Sequence, residues 1–371
     1  MNNRQKRWKP SYIITPAIAR ALMEIESARA IVESTPLPPA VEAQMRHQAR
    51  LRSTHYSTRI EGNELTLKEA QAVIERKKKH FHGRERDVSE VRHYWEALLQ
   101  VEQWAARKFK LSENLIQRLH AIVERGRRAK PTPYRAGQNA IRESGSGALV
   151  YLPPEAGDIR SLMAGLVDWV SEAEKNSIPI PIIAALVHYQ FVTIHPYYDG
   201  NGRTARLLAT FILHRGGYGL HGFFSMEEHH AKDLEGYYRS LAVHPHHNYY
   251  QGRAEADLTS WVEYFAVLLA RVFTRAKEEA AASAQKGAPV EPQQLRALDR
   301  RARMVFSLFA KKDKIAARDA TAVLGLSDRM VRLLLKAWVR DGWLVMADTS
   351  NRGRAYRLSA MYRKFIGNVS E

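Results

Sequence analysis

The chain has 371 residues, no cysteine and a formal net charge of +18, from 57 Lys and Arg against 39 Asp and Glu. The missing cysteine excludes disulfides and thiolate metal sites, and the length allows two or three domains. No run approaches the roughly 18–20 apolar residues of a membrane span, and the charged N-terminus, Met1 to Lys9, has no signal-peptide core, so a soluble cytoplasmic protein with no membrane partner is expected.

From the N-terminus, Val41 to Ile60 contains neither Pro nor Gly and predicts a helix that Gly62 ends. Ser57 and Glu61 lie at its C-terminal end. Arg76 to His80 is a basic run of the kind that more often faces solvent than ligand. Tyr134 to Gly137 reads as an extended segment. Gly145, Ser146 and Gly147 supply a turn, and Ala148, Leu149, Val150, Tyr151 and Leu152 form a short extended run stopped by Pro153 and Pro154. Ile180 to Ile194 is apolar at helical spacing, and Thr204 to Leu213 is apolar again. Two buried helices are therefore expected, joined by one bend, with Gly202 and Arg203 opening the second.

The bend reads His195-Pro196-Tyr197-Tyr198-Asp199-Gly200-Asn201-Gly202-Arg203-Thr204-Ala205-Arg206. Its residue types suit a polyphosphate and the removal of a proton. Gly200 and Gly202 allow backbone amides to approach an anion, and a helix start adds unpaired N–H groups and a positive dipole end. Asp199 can hold Mg²⁺. Asn201 can donate to a phosphate oxygen. Arg203 and Arg206 are three apart and share a helix face. His195 titrates near neutrality and can serve as general base. Neither a P-loop nor an EF-hand fits the chain, and the G-x-G-x-x-G at Gly217 to Gly222 follows a helix, where it reads as a C-cap and loop.

Beyond the bend lie two aromatic pairs, Tyr237 with Tyr238 and Tyr249 with Tyr250; either could offer a flat face to a base, and Tyr237 with Tyr238 is the pair expected to do so. The histidines from His221 to His247 lack zinc-ligand spacing. Lys277 to Gln294 turns Ala-rich and polar and reads as a linker. After it, Arg301 to Lys311 is amphipathic and Ala316 to Leu324 makes a short helix. Asp328 to Asp341 makes a longer one, capped by Ser327, with Met330, Val331, Leu334, Leu335 and Trp338 inward. Trp343 to Met346 and Ala355 to Leu358 read as strands. This tail resembles a winged helix-turn-helix, which implies DNA contacts by Arg329, Arg332 and Lys336 in the major groove and by Arg352 and Arg354 at the wing tip. Residues 299–371 carry 16 basic and 7 acidic side chains, half of the net charge.

The run from His195 to Arg206 resembles the signature of the Fic-domain family, H-x-F-x-D/E-G-N-G-R-x-x-R. Tyr197 stands where the family usually has Phe; its ring should still anchor the bend, while its hydroxyl needs a partner. The resemblance implies AMP transfer from ATP to a Ser, Thr or Tyr hydroxyl of a target protein. His195 would be the base and Asp199 the Mg²⁺ ligand. Gly200, Asn201 and Gly202 would cradle the phosphates, with Arg203 on the β-phosphate side and Arg206 on the γ-phosphate. Kinase-like relatives carry Lys where this chain has Gly202. Ser57 to Gly62 resembles the family's inhibitory motif, S/T-x-x-x-E-G/N, and implies that Glu61 pairs with Arg206 and blocks productive ATP binding. In some relatives the same Glu serves removal of AMP. Ala148, Leu149, Val150 and Tyr151 resemble the target-binding flap, with Tyr134 to Gly137 as its strand. A homodimer is implied on the same ground.

The fold class expected is mainly α, a Fic-type helical core with a short β-hairpin flap followed by a small winged helix-turn-helix domain. The boundaries expected are 1–105 for an N-terminal helical region, 106–273 for the core, 274–298 for the linker and 299–371 for the tail. A DNA-binding regulator with a nucleotide-sensing Fic domain is the alternative to an adenylyltransferase.

Overall fold

A computed structural model describes residues 8–77, 81–142, 145–285, 298–310, 312–348, 350 and 354–363. They divide into two compact units, one of residues up to 33 with 48–277, the other of 34–47 with 278 onward.

The described elements up to residue 285 are helical apart from one hairpin; most belong to the first unit, and residues 34–47 and 278–285 fall in the second. Helix α1 spans Pro16–Ser34, α2 Pro39–Ile60, α3 Leu67–Ile74, α4 Glu85–Ala106 and α5 Glu113–Arg125. Ser112 caps α5 by accepting the Leu115 N–H, and Gly126 ends it at φ 82°. Two short strands follow, β1 (Ile141–Arg142) and β2 (Leu149–Tyr151), paired antiparallel. Then come α6 (Ile159–Lys175), α7 (Ile180–Ile194), α8 (Asn201–Arg215), α9 (Glu227–Lys232), α10 (Leu234–Leu241) and α11 (Thr259–Gln285).

Helix α7 is apolar on every side because it is surrounded. Ile182, Ile183, Leu186, Val187, Phe191 and Ile194 are all at most 1% exposed. It packs against α6 and α8, while α8 packs also against α4 and α5. The bend between α7 and α8 is thus held by buried helices on both sides.

In the second unit, α12 (Arg300–Phe306) and a 3₁₀ turn precede β3 (Ile315–Ala316), α13 (Ala317–Leu324), α14 (Asp328–Arg340), β4 (Leu344–Asp348), β5 (Ala355–Leu358) and α15 (Ala360–Arg363). The sheet order is β3-β5-β4, all antiparallel, with a bulge between Met346 and Asp348. Val331, Leu335 and Trp338 of α14 join Phe306, Trp343 and Tyr356 in one core. Gly325 turns α13 into α14 at φ 64°, and Ser327 caps α14 by accepting the Met330 N–H.

Residues 8–33 and 48–105 fall in the same unit as 106–273, and α4 packs on α5 and α8, while 34–47 fall in the other unit. Two features differ from expectation. Helix α11 continues to Gln285, past the point where a linker was expected; its Ala-rich end favours helix although it is poor in core residues. Met330 is 44% exposed, so it faces solvent beside Leu333, which is 54% exposed.

Candidate active site

Helix α7 ends in a left-handed residue. His195 has φ 50° and ψ 60°, and its N–H still donates to the Phe191 carbonyl at 3.0 Å. This turn throws the chain sideways into the bend. Tyr197 then returns to the core at 2% exposure, its ring stacked 3.6 Å from that of His120. The ring anchors the bend as expected, but the hydroxyl is buried and finds no hydrogen-bond partner among the described residues. Asn201 closes the bend: its side-chain amide donates to the Tyr197 carbonyl at 2.8 Å and its oxygen accepts the Tyr197 N–H at 3.1 Å. Gly200 has φ 73° and caps α8, leaving the first N–H groups of that helix without partners inside it.

His195 is half-buried at the edge of the bend. Its Nδ1 lies 3.3 Å from the Val192 carbonyl. A carbonyl only accepts, so that nitrogen carries the proton and Nε2 is left with a lone pair. Burial lowers the imidazole to about 4, against a smaller opposing contribution from the Val192 hydrogen bond. The ring is therefore neutral at physiological pH and able to accept a proton.

Arg206 is 3% exposed and meets the end of α2. Its Nε donates to Ser57 Oγ at 2.8 Å, and its terminal nitrogen donates to the Ser57 carbonyl and to Glu61 Oε1, both at 2.9 Å. Burial is the largest influence and works against the guanidinium charge, but Glu61, Tyr237 and Tyr94 together outweigh it and the pKa is raised. A Cβ on Gly202 would come 2.3 Å from Glu61 Oε1, so the carboxylate lies against the opening of α8 and a side chain at position 202 would have to displace it.

Arg203 points elsewhere. It is 2% exposed and faces three carboxylates, Glu124 at 3.0 Å, Asp199 at 3.3 Å and Glu90 at 3.7 Å. Asp199 itself is turned outward, with a side chain 59% exposed. Its Oδ1 accepts the Gly200 N–H at 2.6 Å, and its Oδ2 has Arg86 at 3.7 Å. Glu124 and His120 lie beneath the bend on α5, and His120 Nε2 contacts the Asp199 carbonyl at 2.9 Å. Sequence reading missed both, although their spacing of four places them on one helix face.

Residues 110–213 match the profile of the Fic/DOC family. The chain carries a Fic domain. Over 213 residues it is 27% identical to the protein named "Protein adenylyltransferase Fic" of Drosophila grimshawi, covering 57% of this chain and 43% of that one. Over 177 residues it is 32% identical to its namesake in Drosophila mojavensis, covering 46% and 33%. The chain thus spans well under half the length of these curated relatives. A solved Fic family protein from Desulfovibrio desulfuricans G20 aligns with a TM-score of 0.59 at 27% identity, over 95% of this chain and 99% of that one. A Fic domain containing signaling protein from Bacteroides thetaiotaomicron VPI-5482 aligns at 0.60 and 26%, over 72% and 97%.

Around the Fic bend, the other expected residues separate. Leu149 and Val150 are each 44% exposed on β2, and Ala148 is exposed beside them. Tyr151 is 6% exposed and its hydroxyl donates to the Thr193 carbonyl at 2.8 Å, so it anchors the hairpin instead of meeting a target. The strand expected at Tyr134 to Gly137 is irregular backbone; β2 pairs with Ile141–Arg142 instead. Side-chain bonds fix this segment. Arg135 donates to the His195 carbonyl at 3.0 Å and to the Gly137 carbonyl at 2.8 Å. Tyr237 is 1% exposed, its hydroxyl 3.0 Å from His188 Nε2, and so offers no open face. Tyr238 is 50% exposed next to it. In the second unit Arg329, Arg332 and Lys336 are exposed on α14 and Arg354 is half-buried; Arg352 lies outside the described residues.

Proposed function

We propose that this chain is an autoinhibited protein adenylyltransferase. Neutral His195 takes the proton of a target Ser, Thr or Tyr hydroxyl through Nε2. The hydroxyl oxygen attacks the α-phosphorus of ATP, the bond from that phosphorus to the bridging oxygen breaks, and pyrophosphate leaves with AMP on the target. Positioning and charge stabilisation carry such a transfer. The start of α8 and Gly202 receive the phosphates. Arg206 is the cation for the outermost one.

Asp199 is the residue that would hold Mg²⁺. Its carboxylate is a hard oxygen donor facing outward, and Oδ2 has exposed Arg86 at 3.7 Å. That fits a cation held by one carboxylate and phosphate oxygens. When bound, Mg²⁺ would neutralise charge on the phosphates. The names of the aligned relatives support the reaction class.

The observation that carries the reading is Glu61 Oε1 on Arg206 at 2.9 Å. Glu61 occupies the arginine that the triphosphate needs, so ATP bound against it is held out of line. The test uses the full chain with Mg²⁺ and ATP labelled at the α-phosphate. Glu61→Gly should raise self-labelling at least tenfold, equivalent to about 1.4 kcal/mol of recovered barrier. His195→Ala added to it should abolish the label. No gain of label in Glu61→Gly would refute the autoinhibition.

A second reading concerns the C-terminal unit, for which we propose a winged helix that binds duplex DNA. The exposed row Arg329, Arg332 and Lys336 on α14 favours it.

A further inference from the structure

Arg203 is usually easy to read as one more phosphate ligand, since it lies on α8 one turn from Arg206. Its surroundings show a second task. At 2% exposure its guanidinium already faces Glu124, Asp199 and Glu90, and Arg86 shares two of these, reaching Glu90 Oε1 at 2.9 Å and Asp199 Oδ2 at 3.7 Å. Two guanidiniums among three carboxylates leave one negative charge in excess, which attracts a cation.

The same contacts bear on Asp199. One terminal nitrogen of Arg203 donates both to Glu124 Oε1 at 3.0 Å and to Asp199 Oδ1 at 3.3 Å. With the Gly200 N–H at 2.6 Å, Oδ1 is tethered from two sides. Oδ2 stays on the exposed side of the carboxylate, with Arg86 at 3.7 Å. Helix α5 supplies the base of this arrangement. A Cβ on Gly200 would lie 2.4 Å from Glu124 Oε1 and 3.2 Å from His120 Nε2, so the bend rests directly on these two side chains. Glu90 completes it from α4, its other oxygen held by the Asn63 amide at 3.0 Å.

We propose that Glu124, acting through Arg203, is a positioning residue for Asp199: the pair sets the orientation in which Oδ2 meets a divalent cation. This rests on the adenylyltransferase reading only for the identity of the cation's partner, a nucleotide triphosphate. Glu124→Gln keeps an acceptor but loses the charge that holds Arg203, and Glu124→Ala loses both. Freed from Glu124, Arg203 follows Asp199 more closely and competes with the cation for its carboxylate.

The test compares the parent Glu61→Gly with the same chain carrying Glu124→Gln, Glu124→Ala or Glu124→Asp. Mn²⁺ binding to protein with a non-hydrolysable ATP analogue is followed by electron paramagnetic resonance, which needs no turnover. Nucleotide affinity at saturating cation is measured separately. The Gln and Ala variants should weaken Mn²⁺ binding about tenfold or more, as loss of a group that orients a metal ligand typically does. Nucleotide affinity at saturating Mn²⁺ should stay within about twofold, and Glu124→Asp should restore much of the cation affinity. Unchanged Mn²⁺ binding in the Gln variant overturns the proposal. So does a loss of nucleotide affinity that saturating cation does not restore, since Glu124 would then be acting on nucleotide contacts and not through Asp199. Absent self-labelling in the parent would instead count against the adenylyltransferase reading, and the Mn²⁺ comparison would still decide this one.

Discussion

At the scale of single residues, burial decides what the site's imidazoles do. His195 and His120 are each lowered to about 4 and His188 to about 3, burial being the largest cause in all three. An ordinary histidine base would lose half its rate near pH 6.5. Here the acid limb of labelling by Glu61→Gly should lie near pH 4, with the rate level from pH 8 to about 5.5 as far as His195 governs it. Initial rates read by intact mass would check this, and half-maximal rate at pH 6–7 would contradict it. The same shifts bear on stability. Between the folded values of about 3–4 and the unfolded value of about 6.5, the unfolded chain binds more protons than the folded one. Stability therefore rises with pH across that window and is lost as pH falls through it. Urea midpoints should climb from pH 4.5 to 6.5 and level off above. The bend was legible in the sequence at this scale because its residue types and spacing are local. The turning of Arg203 toward Glu124 was not, because that contact joins positions 79 apart.

At the scale of elements, α2 carries its restraint as a stripe. Ser53, Ser57 and Glu61 recur every four residues and share one face. Ser57 and Glu61 hold Arg206, as the motif led one to expect. Ser53 holds something the motif does not mention: its hydroxyl donates to Glu227 Oε2 at 2.8 Å. Glu227 is 3% exposed and also accepts from Tyr94 at 3.2 Å and Ser225 at 3.0 Å. Hydroxyls of three separate segments thus satisfy one buried carboxylate and fix α2 against α9. Ser53→Ala leaves part of it unsatisfied and should destabilise the chain by about 1–3 kcal/mol, measured by urea unfolding. A change under about 0.5 kcal/mol would mean that the remaining donors suffice. The helix itself was readable from Val41 to Ile60, since it lacks breakers. Its partner at Glu227 was hidden because the two are 174 positions apart and no pattern links them. The hairpin was legible only in part for a similar reason. The glycines of its turn and the stop at Pro153 and Pro154 marked β2, but the inward face of Tyr151 depends on the Thr193 carbonyl, which belongs to α7.

At the scale of the whole molecule, charge is distributed unequally. Residues 299–371 hold half of the +18 excess in a fifth of the chain. Cations spread evenly over a surface say little about partners, whereas a row on one helix face does. On α14 the capped start at Ser327 and the buried Val331, Leu335 and Trp338 fix which way the helix turns, and Arg329, Arg332 and Lys336 are left outside. Exposed Met330 and Leu333 lie among them, as apolar groups able to meet thymine methyls. The sequence predicted the basic row correctly but placed Met330 inward, because hydrophobicity alone does not tell a core position from a contact surface. If the C-terminal unit binds duplex DNA, affinity should fall as salt rises, and the slope counts the phosphates neutralised. Replacing Arg329, Arg332 and Lys336 together by Ala should lower the slope of log K against log salt by up to about 2.7, at roughly 0.9 per lost phosphate contact. Fluorescence anisotropy with a mixed-sequence duplex over a range of salt would measure it. Equal affinity and equal slope in the triple variant would exclude α14 as the DNA-contacting element, and self-labelling by Glu61→Gly should be unaffected by the same three changes, since the labelling site is built entirely from the first unit.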